Sequence, residues 1–174
     1  MDRGRVLTYF GDGEGKTSAA IGHAVRALGH GKRVVIIHFM KGREEVGEYQ
    51  FFKGVKGVEI HLCGHPQFLV GGRFREEHLR RVREGLRIAG EAVEGHKCDL
   101  LVMDEVLYAA MFGLIEDNAL VALLDRAIER GIHVVLTGRN PSEEVRKRSD
   151  ILTQTVKLKH SYDVEKKTIE VIDY

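Results

Sequence analysis

Six short runs dense in Val, Ile and Leu alternate along this chain with longer segments whose apolar residues recur at helical spacing. That alternation restricts the fold more than any other feature. The runs are Arg5–Phe10, Arg33–Phe39, Val58–Leu62, Leu100–Asp104, His133–Thr137 and Thr155–Lys159. A strand with one wet face alternates apolar and polar side chains, whereas a near-continuous apolar run marks a strand covered on both faces. The covering helices are also legible. Ile21, Val25 and Leu28 fall on one face of Lys16–Leu28. Leu79, Val82, Leu86, Ala89 and Val93 form a stripe along Glu76–Glu94, and Leu120, Leu124 and Ala127 form another along Asn118–Arg130. Such stripes place apolar groups where they can cover a sheet. Gly29 and Gly31 are natural stops for the first helix. With few hairpin signals, the pattern predicts an α/β protein of three layers around a mostly parallel sheet.

The chain has 174 residues, which suits one domain over positions 1–174. Hydrophobic residues make up 43% and prolines number two, which excludes a disordered chain. The net charge of +1 gives no global attraction to nucleic acid or to an anionic membrane. Val6–Phe10 is too short for a signal-peptide core, and no apolar run nears the roughly 20 residues of a membrane span. Cys63 and Cys98 are too few for a disulfide framework. The expectation is a cytoplasmic protein with no nucleic-acid or membrane partner. Arg73, Arg75, Arg80, Arg81, Arg83 and Arg87 are interleaved with Glu76, Glu77 and Glu84, which reads as a solvated helix with local ion pairs.

Chemistry enters at the end of the first strand. Gly11-Asp12-Gly13-Glu14-Gly15-Lys16-Thr17-Ser18 leads straight into a helix. Glycines let successive backbone N–H groups turn inward around phosphate oxygens, and the helix N-terminus adds partial positive charge. Lys16 would reach phosphates as a point charge, and the Thr17 hydroxyl would sit on Mg²⁺. Counting back from Gly15 puts Phe10 where the general phosphate-loop pattern has its first glycine, so this loop is one residue short. The partner motif is Leu100–Glu105, a buried strand ending in two carboxylates. In phosphate-loop proteins such a carboxylate holds the metal, directly or through water, and a neighbouring one can position water. The two motifs together predict ATP binding and leave the reaction open.

Two less regular stretches, Gly42–Gly57 and Gly64–Arg75, follow strands and are candidate substrate loops. His61, Cys63 and His65 would share one face if Val58–His65 were extended, as part of a zinc site. A fourth ligand is not evident, and a half-buried strand end is the plainer reading.

The ordered set of motifs resembles the P-loop type of ATP:corrinoid adenosyltransferase. The resemblance is carried by the shortened loop Gly11–Thr17 and by His38-Phe39-Met40-Lys41-Gly42. It continues with Met103-Asp104-Glu105-Val106-Leu107-Tyr108, Leu136-Thr137-Gly138-Arg139, Lys157–His160, Tyr162-Asp163 and Ile172-Asp173-Tyr174. It spans about the whole chain and is weakest over positions 43–95. Three positions differ from the usual family pattern. Glu14 replaces a basic residue, His38 replaces a Gln, and Val70 replaces the second aromatic of a pair begun by Phe68.

The resemblance implies a RecA-like P-loop fold, a homodimer, and a reaction in which a corrinoid reduced to Co(I) attacks the 5′ carbon of ATP. Inorganic triphosphate would leave. It implies that Gly11, Asp12, Gly13, Glu14, Gly15, Lys16, Thr17 and Ser18 bind the triphosphate, and that Thr17, Glu105 and Asp104 serve Mg²⁺. Lys16, Thr17 and Glu105 would be the catalytic set. Arg139 would lie near the nucleotide or the dimer contact, and Phe68 near the corrinoid. A reductase supplying Co(I) is an implied partner. The rival reading is a P-loop ATP hydrolase or ATP-dependent regulatory protein, with Glu105 orienting water.

Overall fold

The computed structural model describes residues 2–67, 69, 71–160 and 169. Phe68, Val70, Tyr162, Asp163 and Ile172–Tyr174 lie outside the described residues. Six strands form one sheet: β1 (Val6–Gly11), β2 (Val34–His38), β3 (Val58–Leu62), β4 (Leu100–Asp104), β5 (His133–Gly138) and β6 (Ile151–Thr155). Their spatial order is β3-β2-β4-β5-β1-β6, and every pairing is parallel. Six helices connect or follow them: α1 (Lys16–Gly29), α2 (Gly47–Phe52), α3 (Arg75–Glu94), α4 (Val106–Met111), α5 (Asp117–Glu129) and α6 (Glu143–Arg148).

The apolar runs of the central strands are double-sided because β2, β4 and β5 each feed two cores. Val34, Ile36, Leu100, Val102 and Val135 meet Ala20 and Ala24 of α1 on one face. Val35, Ile37, Leu101, Met103, Val134 and Leu136 meet Val82, Ala89 and Val93 of α3 and Leu120 and Leu124 of α5 on the other. The register stacks like with like: Ile37 is level with Met103, and Met103 with Leu136. Burying one such side chain contributes about 1.5–3 kcal/mol, so the two cores dominate folding. Gly85 shows how closely α3 approaches, since a Cβ there would stand 2.9 Å from the Phe39 ring.

The sequence reading of α1 holds for Ile21 and Leu28, which pack against the core, and fails for Val25, which is 53% exposed; the fully buried positions are Ala20 and Ala24. Small residues let that helix sit tightly on the sheet, and residue size hid those two positions from a count of large apolar side chains. The last strand also moved: it is Ile151–Thr155, not Thr155–Lys159. Its register is set by Asp150, whose Oδ2 accepts from the Val6 amide at 2.9 Å while its own amide donates to Val6 O at 2.8 Å. As an edge strand, with Ile151 and Leu152 half exposed, β6 has little burial to announce its limits. Helices α2, α4 and α6 span six residues each, too short to show a periodic pattern.

No helix among the described residues is long and apolar enough to cross a membrane. The arginine-rich segment is α3, where Arg87 pairs with Glu84 and Glu91, as expected of a solvated face.

Candidate nucleotide site at the strand ends

A wholly parallel sheet delivers all its carboxyl ends to one edge, where ligands of open α/β sheets bind. Here that edge gathers the loop after β1, His38 at the end of β2, Asp104 and Glu105 at the end of β4, and Thr137 with Arg139 at the end of β5.

The loop is shaped by two constraints. Gly11 has φ +121°, and a Cβ there would stand 2.1 Å from the Thr155 carbonyl oxygen. Gly15 has φ +93° as the residue that opens α1. Only glycine takes both positions without strain. The end of β6 clamps the turn from outside. Gly13 N–H donates to Thr155 O at 3.2 Å, and Thr155 Oγ1 donates to Gly13 O at 3.0 Å. The amide of Gly13 is thus engaged within the protein, which corrects the expectation that successive loop amides all turn inward. Lys16 lies across the turn, its Nζ donating to Gly13 O at 2.5 Å. Glu14 points away and pairs with His160 Nε2 at 2.8 Å, so its acidic charge has a partner outside the loop. Asp12 and Ser18 are exposed.

Thr17 ties the loop to the strand carboxylates. Its hydroxyl donates to Asp104 Oδ1 at 2.9 Å. Asp104 is fully buried and both its oxygens are shared: Thr137 Oγ1 also donates to Oδ1 at 2.7 Å, while His38 Nδ1 lies 2.8 Å and Lys41 Nζ 3.2 Å from Oδ2. Burial alone would raise the pKa of this carboxyl, but Lys41, His38 and Thr137 outweigh it and hold Asp104 well below the usual carboxylate range. Burial would likewise depress Lys41, but the charges of Asp104 and Glu48 prevail and raise it. The pair is therefore ionised on both sides, as a desolvated ion pair requires.

Glu105 is a different carboxylate. It begins α4 with φ +60°, a left-handed conformation rare outside glycine, and its amide donates to Thr137 Oγ1 at 2.8 Å. Burial first, and then the negative charge of Asp104, push its carboxyl up to about 7 against the counter-effects of Lys41, Lys16 and Arg139. An oxygen in that condition is short of positive charge. A divalent cation fits the donor set here: the Thr17 hydroxyl has given its hydrogen to Asp104, accepts from Lys41 Nζ at 3.4 Å and keeps one lone pair, and Glu105 supplies a carboxylate. Asp104, with four donors on its two oxygens, is suited to orienting Thr17 rather than to binding a metal directly.

Arg139 stands on the adjoining turn with its guanidinium 5.5 Å from the Tyr108 ring centroid. The structure thus brings together Gly11–Ser18, Asp104, Glu105 and Arg139, whereas Phe68 is outside the described residues. Sequence reasoning did not assign roles to Thr137, His38 or Lys41. The signal was available, because each sits at or just beyond the end of a strand. The imagined zinc face does not form: β3 ends at Leu62, Cys63 is buried, and His65 stacks on Phe74 with ring centroids 4.6 Å apart. Among the described residues no group of three or more His, Cys, Asp or Glu could hold a metal.

A parallel three-layer sheet, with a glycine turn into α1 and a buried acidic strand end linked through Thr17, defines the P-loop nucleoside-triphosphate class of α/β folds. Comparison with known proteins narrows the class. The family described as ATP:corrinoid adenosyltransferase BtuR/CobO/CobP matches residues 2–174, and this chain belongs to it. It is similar to a corrinoid adenosyltransferase of Pseudomonas aeruginosa, 31% identical over 92% of this chain and 79% of that protein. It is also similar to one of Escherichia coli K12, 29% identical over 99% and 87%. A third relative, corrinoid adenosyltransferase CobA of Salmonella typhimurium, is 28% identical over 99% and 87%.

Proposed function

We propose that this protein transfers the 5′-deoxyadenosyl group of ATP to the Co(I) of a corrinoid, with Gly11–Ser18 holding the triphosphate that leaves. Co(I) supplies the electron pair of the new Co–C5′ bond. The C5′–O5′ bond breaks, and its electron pair departs on the triphosphate oxygen. No proton has to be removed from the nucleophile, so no catalytic base is required. What the protein must do is align cobalt with C5′ and stabilise the charge that grows on the leaving group. Loop amides other than that of Gly13, together with Lys16, are suited to that task.

Thr17 and Glu105 would hold Mg²⁺, with Asp104 orienting the Thr17 hydroxyl. The metal, when bound, neutralises charge on the triphosphate. Arg139 would contact the nucleotide or a second copy of the chain. A homodimer, a cytoplasmic location and a reductase that supplies Co(I) belong to the same proposal. The observation that carries it is the 2.9 Å bond between Thr17 and Asp104, which couples the phosphate loop to the acidic strand end.

The test is anaerobic incubation with a chemically reduced corrinoid and Mg·ATP. Adenosylated corrinoid and inorganic triphosphate should appear in equal amounts. ADP and phosphate formed without corrinoid would replace this reading with hydrolysis.

A further inference from the structure

Lys41 lies beyond β2, 24 residues after Thr17, yet its ammonium reaches the oxygens that organise the phosphate loop. Nζ stands 3.0 Å from Glu48 Oε1, 3.2 Å from Asp104 Oδ2 and 3.4 Å from Thr17 Oγ1. An ammonium has three N–H donors and no acceptor, so these three oxygens use all of them. The three partners differ in how firmly they are held. Asp104 is fully buried and bonded to Thr17, Thr137 and His38 as well. Thr17 is fixed in the first turn of α1. Glu48 sits on the six-residue α2, which follows an irregular stretch, and its side chain keeps 17% of its surface exposed.

Glu48 also borders an open cavity of about 390 Å³, whose other walls are Thr17, Ser18, Ile21, Gly22 and Val25. A carboxylate therefore faces the two loop hydroxyls across that space. A triphosphate held by the loop brings several negative charges to the same place. Two anions then compete for one ammonium, and Glu48 is the one with a surface route away.

We infer that Lys41 is a second triphosphate-binding cation, held by Glu48 until the triphosphate displaces that carboxylate. The inference rests on Gly11–Ser18 being the triphosphate site. Glu48 then acts as a built-in competitor: it keeps the partly buried ammonium paired in the ligand-free protein and sets a threshold for polyphosphate binding. Lys41 stays on Asp104 throughout, so triphosphate binding is felt at the acidic strand end as well as in the loop.

The test titrates inorganic triphosphate with Mg²⁺ into the full-length protein by calorimetry. The chains are wild type, Lys16→Ala, Lys41→Gln, Lys41→Arg, Glu48→Gln and the double variant of Lys41→Gln with Glu48→Gln. Lys41→Gln should weaken binding about tenfold, the scale of a lost charge-assisted hydrogen bond, and Lys41→Arg should recover most of it. Glu48→Gln should tighten binding threefold or more, but only while Lys41 is present. A change under threefold in Lys41→Gln, with Lys16→Ala clearly weakened, overturns the role of Lys41 and leaves the loop intact. Equal tightening by Glu48→Gln in both backgrounds makes Glu48 a general repulsive charge and overturns the competition. If Lys41→Gln fails to fold, Glu48→Gln alone decides, since it preserves the contact between Lys41 and Asp104. No binding by the wild type removes both the inference and the loop assignment.

Discussion

Glu105→Gln should make the ligand-free protein more stable at pH 8 and leave it unchanged at pH 4. The reason is the environment at the end of β4. Glu105 is largely withdrawn from water beside the ionised Asp104, and its carboxyl titrates near 7 rather than at the ordinary 4.5. A carboxyl whose folded pKa is raised binds its proton more tightly in the folded state than in the unfolded one. Folding carries no penalty from it below about 4.5, loses stability as pH rises from there to 7, and bears the whole penalty above 7. At about 1.4 kcal/mol for each pKa unit, the rise from 4.5 to about 7 makes that penalty roughly 3.5 kcal/mol at pH 8. Glutamine keeps the shape and cannot ionise, so it removes the penalty while resembling the protonated acid at low pH. Urea unfolding of wild type and variant in EDTA, without nucleotide, at pH 4 and pH 8, gives the comparison. The two should unfold alike at pH 4 and differ by roughly 3 kcal/mol at pH 8, with the variant the more stable. Equal stability at pH 8, or a less stable variant, would refute the claim that Glu105 is an uncompensated buried carboxylate. The same substitution should abolish the Mg²⁺-dependent part of ATP binding, because the stabilised fold lacks an ionised ligand.

The other expectations concern the loop and its supports. Lys16→Ala should cost about 3 kcal/mol of transition-state stabilisation, near a hundredfold in adenosyl transfer, with little change in the urea midpoint; a rate within threefold of wild type would reject the role of Lys16. Gly11→Ala should destabilise the fold by more than about 2 kcal/mol in the same unfolding assay, since its Cβ would collide with the Thr155 carbonyl at 2.1 Å. A crystal or solution structure of that variant with β6 still paired to β1 through Thr155 would count against the clash. Ser142→Ala should cost about 1 kcal/mol, because the Ser142 side chain accepts from the Val145 amide at the start of α6. That loss should leave adenosyl transfer unaltered.

The site was partly legible beforehand because its main parts are local. A glycine turn between a strand and a helix, and two acids at the end of an apolar run, are each visible within eight residues of chain. The partners of Asp104 are not of that kind. His38 comes 66 residues before it, Thr17 87 before and Thr137 33 after. Each stands at a strand end or in the glycine turn, but nothing in the chain says that the three meet at Asp104. Lys41 was noticed as part of a family-like segment, but its position among Thr17, Asp104 and Glu48 could not be inferred from neighbours in the chain.

The order of apolar runs and helical stripes was sufficient to require a parallel α/β sheet, since both faces of each strand had to be covered by segments already present between the strands. Three-residue and four-residue spacing also placed the buried edges of α3 and α5. Other features depended on groups distant in sequence meeting in space. The sheet order β3-β2-β4-β5-β1-β6 brings β4 between β2 and β5, and so surrounds Asp104 with His38 on one side and Thr137 on the other. Burial at that junction separates the two neighbouring acids: one is held ionised by its donors, and the other is driven toward its neutral form. Charge state depends on solvent exclusion and on distances of a few ångströms, and neither quantity exists until the strands have been placed side by side.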